Sequence, residues 1–119
     1  MQTAATIACV IVALLHGYFM VLEMFLWDTP YGRRVFGLTP EFSAASKALA
    51  ANQGLYNGFL AAGIIWGVAL GASGIEVRIF FLLCVVVAGV FGAATATRKI
   101  LLVQALPGAI ALALALTVR

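Results

Sequence analysis

The sequence predicts an all-α integral membrane protein, a four-helix bundle with antiparallel neighbours forming a single domain over residues 1–119. Three observations lead there. The 119 residues are 65% hydrophobic and only 9% charged, with a mean hydropathy of +1.14; a soluble domain of this length needs more charge to cover its surface. Four separate runs, about 3–27, 52–72, 77–97 and 100–118, approach the roughly 20 apolar residues that carry a helix across a bilayer. The last two connections, "SGIEVR" and "TRK", are tight and force antiparallel neighbours. Open sheet edges are not viable in lipid, so the spans are helices.

The first run opens without Lys or Arg in its first fifteen residues. It therefore lacks the charged start of a signal peptide, its hydrophobicity continues past any cleavage site, and it is expected to stay on the protein. The connection "DTPYGRRVFGLTPEFSAASKALAA" starts as a loop with Pro30 and Gly32. It then presents Thr39, Pro40 and Glu41, a capping hydroxyl, a proline at the first helical position and an acid in the first turn. Helix is expected from near Pro40, as a straight extension of the second span or as a short interfacial helix before it. Tyr31, Phe36 and Phe42 suit headgroup depth. Cys9 and Cys84 lie in apolar runs without CxxC or Cys/His spacing and read as small buried hydrophobes.

Charge sets the expected topology. Arg33, Arg34, Lys47, Arg98 and Lys99 fall in the first and third connections, against Arg78 and Arg119 on the opposite side. The excess places those connections in the cytoplasm and both termini outside the inner membrane. The net charge of +3 reflects basic residues at helix ends. It suits anionic lipid headgroups and is not a nucleic-acid patch.

In that topology polar residues gather at one depth. Glu23 lies roughly 6 Å from the cytoplasmic end of the first helix, and His16 about 10 Å deeper. The second helix opens with "ANQGLYNG", bringing Asn52, Gln53, Tyr56 and Asn57 to the same half. The fourth leaves that level with Gln104 and Pro107. On ideal helices His16 and Glu23 share a stripe, Asn52 and Tyr56 align with Gly63 and Gly67, and Gln104 aligns with Gly108. Each polar cluster runs on into small residues, the pattern of close helix packing. Pro107 cannot donate to the carbonyl of Val103, which predicts a free acceptor or a hinge one turn into the fourth helix.

An acid inside a membrane helix is a candidate functional group. For Glu23 the plain alternative is snorkelling or pairing with Arg33 or Arg34; for His16 it is a neutral imidazole bonded to a neighbouring helix. Seven residues separate the two by about 10.5 Å, too far for a direct bond. The amides of "NQGLYNG" read as the lining of a cavity or as interhelical bonds. One His with one membrane acid is a poor metal set, and no residue pattern calls for a cofactor. The leading expectation is binding or passage of a small molecule or proton, with Glu23 and His16 titrating and Asn52, Gln53, Tyr56, Asn57 and Gln104 lining the site. The rivals are a membrane-embedded isomerase or lipid-modifying enzyme using Glu23 or His16 as acid or base, and a glycine-packed, homo-oligomeric assembly subunit without a ligand site; Gly63, Gly67 and Gly108 are the helix-packing candidates.

His16 with "YFMVLEMFLW", then "NQGLYNGFLAAG" and "QALPGAIAL", together resemble the domain-of-unknown-function family numbered 1304, small bacterial membrane proteins with four predicted spans. The resemblance covers almost the whole chain. It implies a fold and a membrane location, and brings no activity, substrate or catalytic residue.

Overall fold

The computed structural model describes residues 1–119 and is all-helical, with five α-helices: α1 (Gln2–Phe25), α2 (Pro30–Phe36), α3 (Pro40–Ala69), α4 (Ile75–Thr95) and α5 (Leu106–Thr117). Two helical stretches, Gln2–Phe25 and Gly71–Thr95, are long and apolar enough to cross a membrane, and Leu101–Thr117 is a shorter apolar one. α3 has the length, but the amides of Asn52, Gln53 and Asn57 dilute its apolar character.

Two of the expectations need correction. The segment after Asp28 is not a loop around Pro30 and Gly32: it is α2. Thr29 is extended (φ −114°, ψ 161°), its hydroxyl accepts the Gly32 N–H, and Pro30 opens the helix, as suits its fixed φ and missing donor. Gly37 ends α2 with φ +66°, a left-handed conformation costly for residues with a Cβ. The expected helix start near Pro40 is found, in the form of a straight extension into the second apolar run. α3 begins at Pro40, where Thr39 Oγ1 accepts the Phe42 N–H at 3.2 Å, and runs unbroken for 30 residues. The fourth run is not one regular helix either. A π-helical turn, Leu101–Ala105, precedes α5, with the Leu106 N–H bonded to the Leu101 carbonyl; Pro107 falls in the first turn of α5, just after the irregularity, as expected of a residue that cannot complete an α-helical bond.

The chain forms two compact units. The first comprises Met1–Leu14 and Leu60–Arg119. Its core joins Cys9, Val12 and Ala13 of α1, Ile64 of α3, Ile79, Leu82 and Val85 of α4, and Ala111 and Ala115 of α5. Small residues let α4 and α5 approach closely: a Cβ on Gly108 would stand 2.7 Å from Val85 Cγ1, and one on Gly89 2.8 Å from the backbone nitrogen of Ala105. Small residues at such positions let helix backbones approach closely. Gly71, at φ +63°, ends α3 and opens the 3-10 turn Gly71–Gly74 that leads into α4.

The second unit is Leu15–Phe59. It holds the C-terminal half of α1, all of α2 and the N-terminal two thirds of α3, with His16, Glu23, Asn52, Gln53, Tyr56 and Asn57 among its residues.

Candidate functional site

The second unit is organised around an antiparallel contact between α1 and α3. Added Cβ atoms on Gly54 would lie 2.7 Å from Met24 Cγ and 3.0 Å from Glu23 Cβ, and one on Gly58 would lie 2.7 Å from Met20 Sδ. The two glycines let α3 lie directly on the 20–24 stretch of α1. Beside them Asn57 Nδ2 donates to Glu23 Oε1 at 2.7 Å, and Asn57 is only 7% exposed. The bond joins residues 34 apart in sequence. An amide against a carboxyl is a sound pairing in a low-dielectric contact, since the N–H keeps its donor role whichever protonation state the carboxyl holds.

Neither arginine of the first connection serves Glu23. Arg33 Nη1 bridges to Asp28 Oδ1 at 3.0 Å, and Asp28 Oδ1 also accepts from the buried hydroxyl of Ser43 at 2.6 Å. The Ser43 hydrogen bond holds the Asp28 carboxyl below its ordinary range; desolvation pushes the other way, and the Arg33 charge and hydrogen bond and the Lys47 charge add to the lowering. One turn further along α3, Ser46 Oγ accepts from Trp27 Nε1 at 3.0 Å. Tyr18 and Tyr31 share a hydrogen bond of 2.6 Å between their hydroxyls, tying α2 to α1. These bonds close the end of the unit where the basic residues Arg33, Arg34 and Lys47 stand.

The expected polar residues do not converge as one lining. His16 is 1% exposed and stands edge-on to Phe19, with ring centroids 5.7 Å apart. Glu23 and Asn57 meet. Asn52, Gln53 and Tyr56 instead lie on the exposed side of α3, Tyr56 at 50%. The buried stripe of this part of α3 is Ala50, Gly54 and Asn57, because glycine at 54 and 58 offers α1 its closest approach. Gln104 is half-buried in the π-helical turn of the other unit. Gly63 faces the Phe81 ring, and a Cβ on Gly67 would lie 2.9 Å from the Arg78 nitrogen. With Gly108 on Val85, all three glycines stand at close contacts inside the first unit.

Sequence reasoning missed Arg78. Its side chain, in the first turn of α4, is 5% exposed. Nε donates to the Gly67 carbonyl at 2.9 Å, Nη2 to the Gly71 carbonyl at 2.7 Å, and Nη1 lies 3.4 Å from Thr6 Oγ1. The guanidinium thus caps the C-terminal end of α3, where unpaired carbonyls and the negative end of the helix dipole favour a cation. A signal was present: a cation in the first turn of a helix opposes that helix's own dipole, so it serves something else. Its position just after a glycine-rich turn points back to the preceding helix end.

No group of three or more His, Cys, Asp or Glu side chains comes together to hold a metal ion. Cys9 and Cys84 are free thiols, Cys9 buried and Cys84 partly so.

These features define an all-helical protein with long apolar helices and one interhelical carboxyl–amide pair. Over residues 10–116 the chain matches the family described as "Protein of unknown function (DUF1304)", and it belongs to that family. It is similar to the "Uncharacterized protein YpaA" of Lactococcus lactis subsp. lactis (strain IL1403), 31% identical over 106 residues that cover 87% of this chain and 89% of that protein. No solved structure matches it.

Proposed function

We propose that the chain is a four-span inner-membrane protein, with both termini outside, that binds or passes a proton or small molecule at Glu23. The single observation behind this reading is the Glu23–Asn57 pair: a carboxyl set into a glycine-lined helix contact, held by an amide and joined to no cation. In hydrocarbon an acid is costly enough to mark function by default, and of the arginines that could partner it from the connection, Arg33 pairs with Asp28 and Arg34 makes no salt bridge to Glu23. Asn57 occupies Oε1, so Oε2 is the atom at which a proton or ligand is held.

Several features support the membrane setting. The 30 residues of α3 make a rod of about 45 Å, longer than the roughly 30 Å of a hydrocarbon core. Its first turns, with Glu41 and Lys47, therefore stand in the headgroups beside α2. Trp27, Tyr31 and Phe36 there form the aromatic belt of the basic side. Arg78, counted in sequence against the topology, is buried on the end of α3, which leaves Arg119, paired with Glu76 at 2.8 Å, as the one surface base of that side. The charge bias favouring a cytoplasmic first connection is stronger for it.

The test uses purified protein in liposomes loaded with a pH-sensitive dye. Wild-type vesicles are expected to dissipate an imposed pH gradient faster than Glu23→Gln vesicles, which keep an acceptor for Asn57. Equal rates in both, or wild-type rates no higher than in protein-free vesicles, rule out proton passage. A small-molecule ligand whose binding is the same for wild type and Glu23→Gln rules out Glu23 as its site.

A further inference from the structure

Taking the membrane reading as its ground, we infer that α3 is the contact between two copies of this chain, paired in parallel through a stripe centred on Asn52. Ala45, Leu49, Asn52, Tyr56 and Phe59 are all exposed and follow one another at intervals of four, three, four and three residues. Leu49 is 77% exposed and Phe59 56%. This alternation keeps a stripe straight along one side of a gently supercoiled helix and is the seam of a left-handed helix pair. The stripe avoids the face used inside the chain, where Gly54, Asn57 and Gly58 meet α1.

The polar members are what call for a partner. Gly54 packs on Glu23 Cβ, so Gln53 and Asn52 stand about 1.5 and 3 Å from the level of Glu23 toward the basic end, and Tyr56 lies about 3 Å deeper, at 1.5 Å per residue. Glu23 itself lies about 6 Å inside Trp27 by the same rise. Their amide and hydroxyl groups are therefore turned toward lipid tails, which offer no hydrogen bonds. Every other strongly polar side chain at this level, Glu23 and Asn57, has found a partner inside the unit.

The chemistry of the stripe selects the partner. Two copies in one membrane share a topology, so their α3 helices run parallel, and a two-fold axis along the membrane normal sets each residue against itself. A carboxylate or ammonium would repel its own image. An amide both donates and accepts, so Asn52 of one copy satisfies Asn52 of the other. Leu49 and Phe59 give apolar layers on either side, and a single amide in such a seam fixes its register. The glycine faces that are the usual alternative for assembly are occupied within the chain.

The test is cysteine cross-linking in native membranes. Cys9 and Cys84 are replaced by alanine, and single cysteines are placed at Leu49, Asn52 or Tyr56, with Val21→Cys on the exposed face of α1 as the control. Oxidation, or a short bifunctional maleimide, is expected to give a covalent dimer several-fold more abundant at each seam position than at 21. Adding Asn52→Leu to the Leu49→Cys chain is expected to lower its yield several-fold. Carbonate-washed membranes that retain the protein but give no more dimer at 49, 52 or 56 than at 21 overturn the contact, whether lipid or another protein covers the stripe, and leave the membrane reading standing. Release of the chain by the carbonate wash overturns the membrane reading, and the contact with it.

Discussion

Cutting the Glu23–Asn57 bond from each side measures what the pair contributes. Asn57→Ala removes the donor 2.7 Å from Glu23 Oε1 and leaves a desolvated acceptor, which costs about 1–3 kcal/mol. Glu23→Ala removes the acceptor and the stem that packs on Gly54. The part belonging to the bond itself is the coupling between the two substitutions. Polar bonds between membrane helices average about 0.6 kcal/mol and reach about 1.7 kcal/mol, and this one is short and 7% exposed on its amide side, so a coupling in the upper half of that range is expected. Glu23→Gln keeps an oxygen for Asn57 and is expected to lose less than half of what Glu23→Ala loses. The assay is reversible unfolding in mixed micelles by rising denaturing detergent, applied to wild type, both single variants and the double variant. A coupling inside the roughly 0.3–0.5 kcal/mol by which independent sites depart from additivity would refute the pairing, as would a Glu23→Gln chain no more stable than Glu23→Ala.

The same titration reads two further sites. Arg78→Lys is expected to cost about 1.5–3 kcal/mol, one charge-assisted hydrogen bond, because a single ammonium does not reproduce a planar fork spanning Gly67 and Gly71; faster amide exchange over residues 67–73 should accompany it, and an Arg78→Leu chain of wild-type stability would show that the cap contributes nothing. Two glycines of opposite surroundings should answer oppositely to alanine. Gly89→Ala sets a methyl 2.8–2.9 Å from the Ala105 backbone and is expected to cost about 1–3 kcal/mol through overpacking, whereas Gly17→Ala meets nothing within 4 Å and should stabilise α1 by about 0.5–1 kcal/mol; shifts of the same sign would refute the close approach at Gly89.

Local sequence signals translated well where the cause was local. Thr39 and Pro40 started a helix because a capping hydroxyl and a fixed φ act within one turn. The same pair at Thr29 and Pro30, followed by Gly37, carried equal information for α2, and reading it as a loop overlooked the cap. The apolar runs showed which stretches are helical. What sequence could not settle was direction around α3. On an ideal helix Asn52 and Gly63 share a face, yet one is exposed and the other lies under Phe81. The reason is that the neighbour changes along the helix: residues 54–58 pack on α1, residues 63–67 on α4. Angular arithmetic carries a face forward only while one partner persists. Of the expected site, Glu23 and Asn57 came together because adjacent glycines let the backbones approach, while Asn52, Gln53 and Tyr56 were assigned inward on the strength of glycines that answer to a different helix.

On the four-span reading proposed above, the amides of α3 also bear on how the chain enters a membrane. Of the long helices, α3 is the one least able to leave the insertion machinery alone, since Asn52, Gln53 and Asn57 must be desolvated as it partitions. α1 is synthesised first and already carries Glu23, which takes the Asn57 amide, and Met20 and Met24, whose flexible side chains lie against Gly54 and Gly58. With four spans, the carboxyl that marks the candidate site is then also a docking point during biogenesis. On that reading α1 and α3 are expected to enter lipid together, with the Tyr18–Tyr31 hydrogen bond tying α2 to α1.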